Sequence, residues 1–136
     1  PKFSEFFMLP RLFTNILGNI VATIDIENNF INDDTTIGLV LWKYLRGVEN
    51  KSISGSIKKY SHLSRQEMEE LSEQVNLYYL LAILNSKYAL HLLDIQRGGD
   101  YHIYPEHIRN LPIPIAPKAE MDALTALAKE QLAQHA

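Results

Sequence analysis

The stretch Asn76-Leu77-Tyr78-Tyr79-Leu80-Leu81-Ala82-Ile83-Leu84-Asn85-Ser86-Lys87-Tyr88-Ala89-Leu90-His91-Leu92-Leu93-Asp94-Ile95 carries the strongest helical signal in the chain. Leu77, Leu80, Leu81, Leu84, Tyr88, Leu92 and Ile95 recur at helical spacing and fall on one stripe. Asn76 is a candidate N-cap, and Gly98-Gly99 ends the pattern. The spacing predicts one helix over 77–95 whose stripe is buried, with Leu80, Leu81 and Leu84 nearly inaccessible.

Upstream of this helix the chain alternates in the manner of strands. Phe6-Phe7-Met8-Leu9 runs through Pro10 into Arg11-Leu12-Phe13; residues 19–26 are β-branched; Thr35-Thr36-Ile37-Gly38-Leu39-Val40-Leu41-Trp42 reads as a third strand. Turns separate them at 17–19 and 27–29. Pro10 has no N–H for a ladder, which points to an edge or an interruption. The polar, glycine-containing segment 47–55 is expected to be a loop. Ser64-Arg65-Gln66-Glu67 has capping-box spacing and should open a helix.

Downstream, residues 101–104 are expected to be extended, and Pro105 to open a single helical turn that closes at Arg109. Leu111-Pro112-Ile113-Pro114-Ile115 cannot be helical, because each proline drives the residue before it towards extended backbone. A last helix runs from about Pro117 to Gln134, with Met121, Leu124, Leu127, Ala128 and Leu132 on its apolar face. The expected fold is α+β: a small, mostly antiparallel sheet packed on a long buried helix, with a C-terminal helix, as one domain over 1–136.

Composition narrows the classes. With 136 residues, 46% hydrophobic and 21% charged, the chain can bury a core like an ordinary globular domain. The absence of cysteine excludes disulfides and thiolate metal sites. No apolar run approaches the roughly 20 residues that span a bilayer, so no membrane partner is expected. The start at Pro1, without an initiator Met or a signal-peptide pattern, is what a piece of a longer chain would show.

A net charge of −3 weighs against a free-standing nucleic-acid binder. The charge is uneven, however. Residues 43–65 hold Lys43, Arg46, Lys51, Lys58, Lys59 and Arg65 against Glu49 alone, a local balance of +5. The next eight residues hold Glu67, Glu69, Glu70 and Glu73 and no base. An anion follows the local field, so the window 43–65 is where one would dock.

An ordered set of segments resembles a known family: Tyr79-Leu80-Leu81-Ala82-Ile83-Leu84-Asn85-Ser86-Lys87, then Gly98-Gly99-Asp100-Tyr101, then Ile108-Arg109-Asn110-Leu111-Pro112-Ile113-Pro114. This series is similar to the TaqI-type C-terminal specificity domain of adenine-specific DNA methyltransferases and fused restriction–methylation enzymes, with related forms in type I specificity subunits. Asn32-Asp33-Asp34-Thr35 leading into a strand fits the same pattern, and the likeness covers most of residues 6–134, with about 42–63 resembling a variable insertion. The resemblance implies a non-catalytic target-recognition domain for double-stranded DNA. It implies a separate catalytic domain of a restriction–modification enzyme that holds S-adenosylmethionine and methylates a flipped adenine. It also implies a cytoplasmic setting at the bacterial or archaeal nucleoid. Neither a glycine-rich cofactor loop nor an Asn-Pro-Pro-Tyr run occurs here, so this chain is expected to bind no cofactor and no metal.

The expected DNA contacts are Lys43, Arg46, Lys51, Lys58, Lys59 and Arg65, with Tyr60 and His62 adding stacking or base-edge contacts. Arg11, set between two apolar stretches, and Arg97 before Gly98-Gly99 complete the set, all of it expected on one face. Asn85 and Ser86 are expected to satisfy nearby backbone, and Leu111 to Pro114 to be structural. Two other classes fit weaker signals. The helix at 77–95 is the basis of a protein-interaction module that docks a methylation or restriction subunit. Asp34 with Glu49 and Lys51 imitates the carboxylate–carboxylate–lysine pattern of nucleases. His62, His91, His102, His107 and His135 have no convincing metal spacing.

Overall fold

The computed structural model describes residues 8–27, 35–60 (Tyr60 by its backbone only) and 62–134. Three strands, β1 (Arg11–Asn15), β2 (Ala22–Asp25) and β3 (Thr36–Leu39), form an antiparallel sheet in the order β2-β1-β3. β1 is therefore the central strand, not an edge. Pro10 lies one residue before the ladder starts at Arg11, so its missing N–H costs no sheet hydrogen bond. The third strand stops at Leu39, and Trp42–Leu45 turns instead into a short 3-10 segment. Phe6 and Phe7 and the segment 28–34 lie outside the described residues.

Six helices follow: α1 (Lys51–Tyr60), α2 (Arg65–Ser72), α3 (Leu77–Leu84), α4 (Lys87–Arg97), α5 (Pro105–Arg109) and α6 (Lys118–Gln134). The segment 47–55 is not a loop throughout, because α1 begins inside it. Asn50 accepts the Ile53 N–H at 2.9 Å, capping the first turn, and Ile53 is buried, which anchors the helix despite its glycine and serines. The Ser64–Glu67 capping box opens α2 as its spacing requires.

The long helix is in fact two. Asn76 caps α3, with its side chain accepting the Tyr79 N–H. At Ser86 the backbone leaves helical space (φ −86°, ψ 160°), and the Ser86 hydroxyl accepts the Ala89 N–H to start α4. The break resets the helical phase. Leu77, Leu80, Leu81 and Leu84 are buried as expected, with Leu84 1% exposed, but the stripe does not continue. Tyr88 and Ile95 are exposed, and α4 packs through Ala89 and Leu93 instead. Asn85 explains the interruption: its Oδ1 accepts the Ala22 N–H at 2.7 Å and its Nδ2 donates to the Ala22 carbonyl at 3.0 Å. One side-chain amide thus pairs with the free edge of β2 as a strand residue would.

α3 sits at the centre of the molecule, between β1 and β2 on one side and α6 on another. Leu12, Ile20, Leu41, Ile103 and Leu111 join its leucines in the main core. α6 is buried through Met121 and Ala128, while Leu127 and Leu132 of its expected apolar face are exposed. Chain 111–115 is a strap that belongs to no helix or strand. Two phenols hold it: Tyr79 donates to the Pro114 carbonyl at 2.6 Å, and Tyr88 to the Pro112 carbonyl at 2.9 Å. Burial first, and then Glu120, raises the Tyr79 phenol above the ordinary 10.0.

Candidate nucleic-acid interface

Two of the six cations in the basic window, Arg46 and Arg65, pair with the acidic run that follows it. Arg46 reaches Glu73 at 3.2 Å and Glu69 at 4.0 Å. Arg65 pairs with Glu69 at 3.1 Å and donates to the carbonyls of Leu45 and Val48, both at 2.6 Å. Lys43 donates to the Val75 carbonyl at 2.9 Å, closing the end of α2. These three cations are ties between the 3-10 segment, α2 and the loop between them. Local charge alone pointed to a DNA surface, but a charge run next to an opposite run is also the simplest route to internal pairing.

Arg11 and Arg97 are likewise withdrawn from the expected face. Arg11 is 1% exposed on the central strand, 3.7 Å from Asp25 across the β1–β2 register and 4.9 Å above the Phe13 ring. A buried guanidinium that faces a carboxylate and a ring is a structural pair, not a contact for an external anion. Arg97 closes α4: it donates to the Gly18 carbonyl at 2.6 Å and the Tyr101 carbonyl at 3.2 Å, and pairs with Asp94 at 2.9 Å. It clamps the β1–β2 turn, where Gly18 takes φ +81°, onto the segment after Gly98. Arg11, Arg97 and the window do not form one exposed basic surface.

What remains exposed is α1. Lys51, Lys58 and Lys59 all face solvent, no acidic residue occurs anywhere in the helix, and His62 is exposed just beyond its end. Lys51 and Lys58 have no ion-pair or hydrogen-bond partner among the described residues. At seven residues apart they stack on one helical line, with Gly55 and Ser54 between them, so that face is low and cationic. The side chain of Tyr60 lies outside the description.

A cleft of about 460 Å³ opens against the other side of α1. β3 and Trp42 form one wall; Ser52, Ile53 and Ser56 form a second; α5 and the strap form the third, with Leu80 and Leu84 behind them. Nothing in the periodicity pointed to it, because it is built from four segments distant in sequence.

A second group that sequence spacing missed lies near Arg97. The rings of His102 and Tyr104 stack at 5.8 Å with 17° between planes, and His107 tilts against Tyr104 at 5.5 Å. Asp100 accepts the His102 N–H at 2.9 Å, and that bond chiefly holds its carboxyl below the usual range. Comparison with protein-family models, curated proteins and solved structures finds no match.

Of the nuclease pattern, Glu49 is exposed just before α1 and Asp34 lies outside the described residues. Among the described residues no three His, Asp or Glu side chains gather as a metal site. No described helix is long and apolar enough to cross a membrane.

Proposed function

We propose that this chain is a DNA-recognition domain that holds the duplex backbone on the outer face of α1 and serves an adenine methyltransferase or fused restriction–methylation enzyme. The resemblance of the 79–87 and 108–114 segments to TaqI-type specificity domains supplies the class. One observation supports the placement: in an acidic chain, α1 is an acid-free helix with three exposed lysines, of which Lys51 and Lys58 have no ion-pair or hydrogen-bond partner among the described residues. Lys51 stands in the first turn, where a cation opposes the helix dipole, so helix stability does not account for it. Phosphates do. Methyl transfer, with its S-adenosylmethionine, belongs to a separate domain in this reading.

The protein-docking alternative rested on one helix over 77–95; its first half, α3, is covered within the chain by the sheet and α6, whereas α4 leaves Tyr88 and Ile95 exposed, so this alternative keeps only the α4 half as a docking face. The test is salt-dependent binding. Replacing Lys51 and Lys58 by Ala should weaken binding to cognate and scrambled duplexes alike, because phosphate contacts carry little sequence information. The slope of log K against log salt should flatten by about 0.9 per lost contact. Unchanged affinity and slope in the double variant would refute the placement.

A further inference from the structure

We infer that the cleft beside α1 receives one planar heteroaromatic base, an unstacked nucleobase other than the adenine that the separate catalytic domain methylates. The inference rests on the DNA reading for the source of the base, but on the cleft for its chemistry. At about 460 Å³ the cleft falls within the range of small-molecule sites and is too small for a duplex. Its walls are mostly aliphatic, with a single aromatic residue, Trp42, among them. That combination suits the faces of a ring, which stack on an aromatic side chain whatever the base. The polar groups are few and of the right kind. Ser52 and Ser56 each carry a hydroxyl that donates and accepts. A purely apolar occupant, such as a leucine side chain of a partner, has no use for them.

The position of the cleft adds the second argument. Ser52 and Lys59 are seven residues apart and share one line of α1; Lys51 and Lys58 share the next line, about 100° away. The lysine face therefore borders the cleft mouth. A strand whose phosphates lie along those lysines carries its bases within reach of the opening, which is the geometry an extruded nucleotide needs.

Trp42 is the only tryptophan in the chain, so its emission reports on the cleft directly. The full chain is titrated with an intact duplex, the same duplex with one mismatched pair, adenosine 5′-monophosphate, and ribose 5-phosphate. Trp42 emission is followed in each, together with the anisotropy of a dye on the DNA. The mismatched duplex and the nucleotide should quench Trp42 at least two-fold more than the intact duplex and ribose 5-phosphate do. Ser56→Leu, which fills the cleft, should abolish that difference with the far-UV spectrum unchanged. Should Ser56→Leu not fold, Ser52→Leu at the exposed mouth is the substitute. Anisotropy changes without any base-dependent quenching would overturn the base site and leave the DNA reading standing. Quenching by the nucleotide without DNA binding would do the reverse, assigning the cleft to free nucleotides. Quenching by ribose 5-phosphate equal to that by the nucleotide would also overturn the inference.

Discussion

Asn85 offers the sharpest test of how this fold is tied together. Its amide makes both hydrogen bonds to the peptide group of Ala22, 63 residues away, at 2.7 and 3.0 Å, and Ala22 is 5% exposed. Asn85→Ala removes both. A net contribution of about 0.5–1.5 kcal/mol per bond gives a loss of about 1–3 kcal/mol. The full penalty for two orphaned groups is not added, because Asn85 itself is exposed and water can replace it. With about 2.1 cal/mol/K of unfolding entropy per residue, 136 residues convert a 2 kcal/mol loss into a Tm shift of about 7 °C. Asn85→Asp separates the two bonds. An ionised carboxylate still accepts from Ala22 but cannot donate to its carbonyl, whereas a protonated one can do both. The Asp variant should therefore be destabilised at neutral pH, through the lost bond and a carboxylate that faces the Ala22 carbonyl, and regain part of the loss as the carboxyl protonates. Urea titration gives the energies, and amide exchange at Ala22 gives the local effect. An Asn85→Ala protein within 0.3 kcal/mol of the parent by the urea midpoint, with Ala22 still protected, would show that the strand edge does not depend on this side chain; that threshold is about half the smallest single hydrogen-bond contribution.

Three further substitutions probe the core and the strap. Leu84→Ala, at a 1% exposed position on α3, should cost about 2–5 kcal/mol by urea denaturation, with a small cost meaning that the site collapses or is not central. Thr14→Val should stabilise by about 1 kcal/mol, because the Thr14 hydroxyl is buried with no partner among the described residues and valine keeps its shape; a loss of stability would reveal a partner. Tyr79→Phe should cost about 0.5–1.5 kcal/mol at pH 7 by freeing the Pro114 carbonyl. Because the folded protein holds the Tyr79 proton more tightly than the unfolded chain, that contribution is full below pH 10.0 and is lost as pH rises through the folded value. The parent should thus lose stability in alkali more steeply than Tyr79→Phe, and parallel curves would contradict the raised phenol.

The parts of this fold that were legible in sequence are those where a local rule and the tertiary structure agree. The Ser64–Glu67 box, the Asn76 cap, the Pro105 turn, the extended prolines of the strap and the leucines of α3 each follow from interactions within a few residues. The failures share a different cause, which is a side chain with a distant partner. Periodicity carried the helix across Asn85 because it cannot see that this amide belongs to β2. It left 51–55 as loop because one buried isoleucine and one asparagine cap outweigh a glycine and two serines only once the core is in place. Charge counting had the same blindness. It treated Arg46, Arg65 and Lys43 as a field facing outward, although the acidic run that pairs with Arg46 and Arg65 was next in the chain and Lys43 reaches the Val75 carbonyl beyond it.

That failure also sharpens the functional argument. Of the ten residues expected to touch DNA, five make ties within the chain: Arg11, Lys43, Arg46, Arg65 and Arg97, of which Arg46 stays half exposed. Removing them leaves Lys51, Lys58, Lys59 and His62 as exposed candidates, all on or just after one helix. A window chosen by net charge was bound to include cations that hold the fold. The reduced set makes a narrower claim than the original, because its affinity must come from few contacts. Three phosphate contacts predict a salt slope near −3, well short of the roughly −10 of a large DNA-binding interface. A slope of that small size for this chain alone, rising when a catalytic domain supplies the other side of the duplex, is what a recognition domain with net charge −3 requires.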